Sequence, residues 1–266
     1  MHTHLQTLPV RSRIAQRASA MMLVGATAFA AACGTTAAPD ALTPGDQGRI
    51  RFVTLITDTT RGRVDAVLES VPFGVNLTYT QSTPATLPAP ATALYSPILA
   101  GSRSLVLNRT ANTATNVATF ALTITAGQDR TVYAIGGAGG TPITSFSTVD
   151  DNALPASAAQ TKVRVVHLSP TAGPVDVFVT AAGADLSVAT PTLSNVAFSS
   201  ASAYLSVAAG TYQVRAVPAG TPAANRAAAV AITANLVLIG NTVRTIVAAD
   251  NNVGGAPLRA FVLADR

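Results

Sequence analysis

Few residues in this sequence are able to carry out acid–base or nucleophilic chemistry. Beyond the first 32 residues it holds one histidine, His167, and one cysteine, Cys33. Ser169 and Asp176 follow His167 closely, so the residue types of a Ser-His-Asp triad are present. Sequence spacing does not supply the geometry of a triad, and no G-x-S-x-G turn for a nucleophilic serine occurs. We therefore expect His167 to occupy a half-buried strand position, and we predict that the chain is not an enzyme.

Metal ligands are equally scarce. Zinc sites need three or four nitrogen, sulfur or carboxylate ligands, which one histidine and one cysteine do not provide. Calcium needs six to eight oxygens, and the two acidic–amide clusters, at residues 150–152 and 250–252, do not follow EF-hand spacing. Asp and Asn in such clusters typically form turns by bonding their own backbone. We predict no metal and no cofactor.

Two aspartates and one glycine-rich run remain as candidates for binding. Asp65 and Asp176 lie between apolar neighbours at matching positions of the two repeats. Each carboxylate could contact a ligand on the face of the sandwich. Alternatively, it could accept a hydrogen bond from a turn N–H or pair with an arginine. With His167, they are the candidate ligand contacts. Residues 136–140 are mostly glycine, but phosphate-binding loops lead into a helix. This run leads into Thr141-Pro142, so we expect an inter-strand loop.

The first residues have the organisation of an export signal. Arg11, Arg13 and Arg17 precede a short apolar run that ends at Cys33. Residues 30–34, Ala-Ala-Ala-Cys-Gly, resemble a bacterial lipobox, in which cleavage precedes an acylated cysteine, although Ala30 stands where leucine is usual. An ordinary signal followed by a free cysteine is the alternative. We predict a lipoprotein signal over 1–32 and a lipid anchor at Cys33, and Gly34 resembles the outer-membrane-directed members of such proteins.

Charge excludes a nucleic-acid partner. The chain has 17 Lys+Arg against 12 Asp+Glu, and residues 1–32 contain three of the arginines and no acid, which leaves 14 against 12. No basic cluster interleaved with aromatic residues occurs. The predicted partners are the membrane, through the lipid anchor, and an envelope protein or polysaccharide.

From Arg49 onward, short segments rich in Val, Ile, Thr and Leu recur about every 8–12 residues between turn residues, which is typical of a β-sandwich or barrel. Alternation over residues 120–125 predicts a strand with Phe120, Leu122 and Ile124 on one face. A second alternating segment covers 75–80, and the apolar stretch 230–238 reads as a strand. Residues 33–48 read as the lipidated cysteine and a flexible tether.

An internal repeat divides the remainder. Arg51-Phe-Val matches Arg164-Val-Val, and Arg130-Thr-Val-Tyr-Ala matches Arg244-Thr-Ile-Val-Ala. The offset between the copies drifts from about 109 to about 115 residues, as differences in loop length produce. We predict an all-β protein of two tandem immunoglobulin-like antiparallel β-sandwiches, with seven or eight strands each, at 49–152 and 162–266, joined by a linker at 153–161.

The repeat carries a family resemblance. Residues 162–170, 174–179 and 202–215 resemble a bacterial family of domains of unknown function, DUF4397, and the second copy is the closer match over its whole length. The first copy departs at residues 54–57 and carries a proline-rich insertion at 84–90. The resemblance implies an exported β-sandwich, often lipidated and often in tandem, and implies no activity.

These observations predict a cell-envelope lipoprotein with a non-catalytic binding, adhesion or structural role. It would be lipid-anchored, with the outer membrane the expected site. The alternative is a glycan- or small-ligand-binding subunit of an envelope complex, and the third hypothesis is an extracytoplasmic hydrolase. A binding module should present a contiguous apolar or aromatic patch, whereas an enzyme should present a pocket that holds His167 or a carboxylate with a shifted pKa.

Overall fold

The computed structural model describes residues 46–58, 63–84 and 94–266, and within these ranges the regular structure is β-strand apart from short 3₁₀ turns. The first nine strands are β1 Gln47–Ile56, β2 Val64–Leu68, β3 Val71–Leu77, β4 Ser82–Thr83, β5 Ser96–Leu99, β6 Gly101–Arg109, β7 Asn112–Ile124, β8 Asp129–Gly136 and β9 Thr144–Asp150. The next nine are β10 Gln160–Leu168, β11 Val175–Thr180, β12 Leu193–Val196, β13 Ser200–Ala201, β14 Leu205–Ala208, β15 Gly210–Pro218, β16 Ile232–Leu238, β17 Thr242–Ala249 and β18 Arg259–Ala264. The predicted all-β class is confirmed.

The two sets of nine strands have the same topology. In the first half, β3-β2-β6-β7 form a four-stranded sheet, and β4-β1-β8-β9 form a second sheet in which β5 also pairs with β1. In the second half, β12-β11-β15-β16 and β13-β10-β17-β18, with β14 on β10, repeat this arrangement strand for strand. We call the four-stranded sheets the outer sheets and the five-stranded sheets the inner sheets.

Alternating burial explains why the outer strands form where they do. Phe120, Leu122 and Ile124 on β7 are buried while their neighbours are exposed, as the sequence predicts. They belong to a hydrophobic core between the outer and inner sheets of the first half. The second half has an equivalent core, to which Ile232, Leu236 and Leu238 of β16 contribute.

The central strands of the inner sheets, β1, β8, β10 and β17, are buried on both faces. A third core contains residues from both halves, including Val53 and Leu55 of β1 and Val166 and Leu168 of β10. We call the contact between the two inner sheets the seam. The described residues accordingly all fall within one compact unit. The division into two independent domains, at 49–152 and 162–266, stays a prediction.

Three details differ from the sequence expectations. Each half has nine strands, including the two-residue β4 and β13, rather than seven or eight. β1 pairs with β8 in parallel and β10 with β17 likewise, so each inner sheet is mixed rather than purely antiparallel. The alternating segment 75–80 is not a continuous strand, because β3 ends at Leu77 and Asn76 has a φ of 58°. Left-handed backbone interrupts the pleat, and Val75 is left 60% exposed.

Other predictions lie outside the described residues or at their edge. Cys33 and residues 1–45 are outside them, as is most of the proline-rich insertion at 84–90. The predicted tether overlaps the described part at 46–48, where β1 already begins. Within the described ranges, no helix is long and apolar enough to span a bilayer.

Candidate functional site: a charged ring at the seam

Strand alternation places a charge inside the molecule. On β1, Ile50 and Phe52 face the first core, so Arg51 faces the seam together with Val53. Arg51 is 2% exposed, and its counterpart Arg164 on β10 is 3% exposed. Arginines are almost never buried to this degree unless they are paired. The seam therefore has to supply partners for both guanidinium groups.

The first guanidinium reaches across the seam to the second half. Arg51 Nη2 donates to Asp265 Oδ1 at 2.6 Å, and its Nη1 donates to the carbonyl oxygen of Ala264 at 2.7 Å. Its Nε donates at 3.0 Å to the hydroxyl of Thr131, which lies on the neighbouring strand β8. Arg51 thus joins β1 of the first half to the end of β18 in the second.

The second guanidinium makes the reciprocal contacts. Arg164 Nη2 donates to Asp150 Oδ1, and its Nη1 donates to the carbonyl oxygen of Val149 at 3.0 Å. Its Nε donates at 2.9 Å to the hydroxyl of Thr245 on β17. Arg164 Nη2 also donates to Thr148 Oγ1 at 2.9 Å. Among the described contacts, Arg51 has no equivalent of this bond. Arg164 thus joins β10 of the second half to the end of β9 in the first.

The two threonines close these contacts into a ring. Thr131 accepts from Arg51 and donates to Asp150 Oδ2. Thr245 accepts from Arg164 and donates to Asp265 Oδ2 at 2.5 Å. We call the closed path the charged ring; its members are Arg51, Asp265, Thr245, Arg164, Asp150 and Thr131. The ring holds two positive and two negative charges, and the side chains of both aspartates are 0% exposed.

A tyrosine caps each side of the charged ring. Tyr95 donates its hydroxyl to Asp150 Oδ2 at 2.8 Å, and the Arg51 guanidinium carbon lies 4.7 Å from the centre of its aromatic ring. Tyr204 donates to Asp265 Oδ2 at 3.3 Å, with Arg164 at 4.9 Å from its ring centre. A cation over an aromatic face is attracted by the ring quadrupole. Each tyrosine therefore contacts the cation of its own half.

Burial and charge shift the pKa values around the charged ring. Burial is the main factor that raises the pKa of the Tyr95, Tyr133 and Tyr204 hydroxyls above the ordinary tyrosine value. Burial alone would lower the pKa of the Arg51 guanidinium, but the tyrosines and carboxylates around it outweigh that effect, and the pKa is raised. The same balance raises the pKa of Arg164. Both arginines remain charged, and Tyr95 and Tyr204 remain neutral donors.

This arrangement suits mechanical coupling of the halves. The aspartate oxygens accept hydrogen bonds from arginine, threonine and tyrosine. Each buried carboxylate is therefore paired with a cation and with hydroxyl donors of the ring and its two capping tyrosines. Removing one member of a buried ion pair leaves an uncompensated charge and costs about 3–5 kcal/mol. The ring thus makes the relative position of the two inner sheets specific.

His167 does not form a triad with Ser169 and Asp176. It is fully buried rather than half-buried; its Nε2 donates to the carbonyl oxygen of Gly173 at 2.7 Å, and its Nδ1 lies 3.4 Å from the backbone nitrogen of Ser169. The Ser169 hydroxyl donates to Asp250 instead. The structure therefore does not bring these three side chains together for nucleophilic chemistry.

Asp65 and Asp176 occupy equivalent places and make equivalent contacts. Asp65 Oδ1 accepts from the backbone N–H of Asn76 at 2.7 Å, and Asp176 Oδ1 accepts from that of Asn195 at 2.8 Å. Both asparagines have positive φ, 58° and 53°. Each carboxylate thus stabilises an irregular edge strand of its outer sheet. Asp65 also accepts from the Thr110 hydroxyl at 2.6 Å.

The acidic–amide clusters have different roles. Asp150 is not a turn residue as expected, because it ends β9 and faces the seam. Asp250 and Asn251 do shape a turn: Asp250 Oδ2 accepts from the N–H of Gly255, and Asn251 Oδ1 accepts from that of Val253, both at 2.8 Å. No group of three or more His, Cys, Asp or Glu suited to a metal ion occurs in the described ranges. The glycine-rich run connects β8 to β9, as predicted for an inter-strand loop.

A polar cleft opens beside the charged ring. It has a volume of about 570 Å³, and Arg49, Asp129, Asn152 and Arg266 are among its lining residues. A neighbouring cleft of about 410 Å³ shares Arg49, Asn152 and Arg266 and reaches Tyr95. In the described structure, the buried Asn152 Oδ1 has no hydrogen-bond partner. Both volumes lie in the range of small-molecule sites, roughly 300–1,000 Å³.

Sequence reasoning identified the repeat but missed the charged ring. Arg51 and Arg164 stood out as matching residues of the two copies, and Thr131 and Thr245 lay inside the second matching pair. The available signal was an arginine repeated inside an otherwise apolar strand. Asp150 ends β9 and Asp265 directly follows β18, and the sequence pattern resolved neither strand end.

Comparison with known proteins gives a family for part of the chain. A family model described as "Domain of unknown function (DUF4397)" matches residues 50–178. This confirms the resemblance, although the match covers the first half and only β10 and part of β11 in the second, rather than the whole second copy as expected. No curated protein matches the chain. A leucine-rich repeat protein from Bacteroides thetaiotaomicron VPI-5482 is 14% identical over 75% of this chain and 26% of its own, with a TM-score of 0.19, which supports no conclusion on fold or function.

Proposed function

We propose, from the match of residues 50–178 to the DUF4397 family of domains of unknown function, that the chain is an exported, lipid-anchored structural protein of the cell envelope. Cys33 carries the lipid, the tether leads to the body, and the two coupled sandwiches form a rigid, non-catalytic spacer or adhesion module. The observation that carries the structural role is the charged ring, because the buried ion pairs across the seam oppose independent movement of the halves.

The anchor is testable through acylation of Cys33. Cells that express the chain are labelled with radioactive palmitate, and the protein is then immunoprecipitated. We expect label in the natural chain and none in Cys33→Ser, because Cys33 is the sole cysteine. Gly34→Ala is the matched control and should keep its label. Gly34→Asp should also keep the label but move the protein to the inner membrane if sorting follows the residue after the cysteine. Label on Cys33→Ser would refute the anchor.

Binding of a glycan or another polar small ligand is the second candidate function, and the polar cleft favours it. Arg49 and Arg266 line the cleft and offer guanidinium N–H donors to a ligand. Calorimetry with envelope oligosaccharides should then show binding that Arg49→Ala weakens. Arg103→Ala is the control, because that arginine lies outside the polar cleft. Equal binding by both variants would show that the ligand does not bind in the polar cleft, and no binding by the natural chain would leave the structural role alone.

A further inference from the structure

The contacts across the seam are those of a symmetric dimer made within one chain. In an isologous interface, residue i of one subunit contacts residue j of the other, and j contacts i in return. Arg51 of the first half contacts Asp265 of the second, and Arg164 of the second contacts Asp150 of the first. Arg51 and Arg164 occupy equivalent strands, and Asp150 ends β9 while Asp265 directly follows the equivalent strand β18, so each half presents the same face.

The apolar part of the seam repeats in the same way. Val53 and Leu55 on β1 correspond to Val166 and Leu168 on β10, and all four belong to the shared core. One difference is that Tyr133 of β8 stands where Val247 stands on β17. Both are fully buried in the same core. The two faces are thus alike in apolar surface as well as in charge.

The linker contributes little to this contact. β9 ends at Asp150 and β10 begins at Gln160, and most residues between them are exposed. Its polar contacts include those of Lys162, which donates to Asp151 Oδ2 at 2.6 Å and to the carbonyl oxygen of Ala153 at 2.9 Å. Nine extended residues span up to about 30 Å. The seam is held by its own faces rather than by the connection between them.

We propose that the seam face of each half is a docking surface for the seam face of another half, so that two copies of this chain exchange halves and form a reciprocal dimer. We call the state in which the two halves of one chain contact each other the closed form. The short linker favours it, because it holds the two halves at a high effective concentration. When the closed form is made unfavourable, the same contacts form between two chains. This inference goes beyond the proposed function and holds whether or not the chain is lipidated.

The test uses two full-length, differently tagged variants that are incompatible within one chain but compatible between chains. Arg51→Glu places a carboxylate against Asp265, and Asp265→Lys places an ammonium against Arg51. When the two variants are co-expressed, exchange of halves pairs the introduced glutamate with the introduced lysine and restores the natural pair in the other seam. We expect a one-to-one dimer by light scattering that melts within a few degrees of the natural chain. Each variant alone should melt at a much lower temperature or aggregate.

The matched control uses an ion pair that lies within one half. Arg49 and Asp129 sit on β1 and β8 of the first half, with Arg49 Nε donating to Asp129 Oδ1 at 2.6 Å. Co-expression of Arg49→Glu with Asp129→Lys cannot restore this pair by exchange, so no mixed dimer should form. A mixed dimer of equal yield from the control pair would overturn the proposal.

A second pair of variants avoids reversed charge. One chain carries Arg51→Met with Asp150→Leu, and the other carries Arg164→Met with Asp265→Leu. Exchange of halves then creates one fully apolar seam and one natural seam, and we again expect a mixed dimer. A single chain that carries both Arg51→Glu and Asp265→Lys serves as a folding control. If it forms a folded monomer, the reversed ion pair is compatible with folding. Absence of a mixed dimer from both pairs overturns the proposal, and a mixed dimer from either pair alone supports it.

Discussion

Replacing Asp150 with alanine should destabilise both halves together, because this carboxylate is one of the two buried anions of the charged ring that joins them. It is fully buried and accepts from Arg164, from the Tyr95 hydroxyl at 2.8 Å and from the Thr148 hydroxyl at 2.7 Å. Its removal leaves the Arg164 charge buried without its anion, which costs about 3–5 kcal/mol. That loss is a large part of the roughly 5–15 kcal/mol typical of folded proteins.

The loss is measurable by thermal and urea unfolding followed by circular dichroism. For a body of this size, about 3–5 kcal/mol corresponds to a fall in melting temperature of about 6–20 °C. Asp151→Ala is the control, because its carboxylate is 62% exposed in the pair with Lys162, and surface pairs contribute about 0–1 kcal/mol. The double variant Asp150→Ala with Arg164→Met should lose less than the sum of the single losses, because no unpaired charge remains. A loss below about 1 kcal/mol for Asp150→Ala, or strict additivity, would refute the reasoning.

Three further outcomes are expected. His167→Ala should lower the free energy of unfolding by about 1–3 kcal/mol, because it leaves the Gly173 carbonyl without its donor, and urea unfolding checks this. Asp176→Ala should cost about 1–3 kcal/mol by removing the acceptor of the Asn195 N–H, and loss of signal confined to exchange-protected amides of β11 and β12 would identify the site. Burial raises the pKa of four tyrosines, so the stability that their protonated form contributes is complete below about pH 10 and is lost as the pH rises towards their folded values. Absorbance at 295 nm should therefore show these four ionising together with loss of the β-sheet signal, and ionisation of more than one of the chain's five tyrosines before unfolding would contradict the burial of Tyr79, Tyr95, Tyr133 and Tyr204.

Much of the fold follows from local pattern and from the repeat. The alternation at Phe120, Leu122 and Ile124 depends on period two alone, so it predicts both the strand and its buried face. The matching segments predict that one topology is used twice, which the sheets bear out. The strand predicted at 75–80 is not continuous, because Asn76 adopts a positive φ that interrupts the pleat. The backbone N–H of Asn76 donates to Asp65 in this conformation.

The candidate site could not be predicted because it depends on contacts far apart in the sequence. Arg51 and Asp265 are 214 residues apart, and nothing local to either indicates the other. Burial of the inner sheets on both faces also hides the alternation on β1, where nearly every residue from Ile50 onward is buried. Asp150 looked like part of a polar turn because Asp151 and Asn152 follow it. Recognising an arginine repeated in two apolar strands would have pointed to a buried pair, but not to its partner.

The central claim is that the two halves form one coupled body. Hydrogen exchange followed by mass spectrometry at increasing urea concentration tests it directly, with peptides from β2 reporting on the first half and peptides from β11 on the second. We predict that both sets lose protection at the same urea concentration in the natural chain, and at separate concentrations when Arg51 and Arg164 are both replaced by methionine. Separate concentrations in the natural chain would contradict the account.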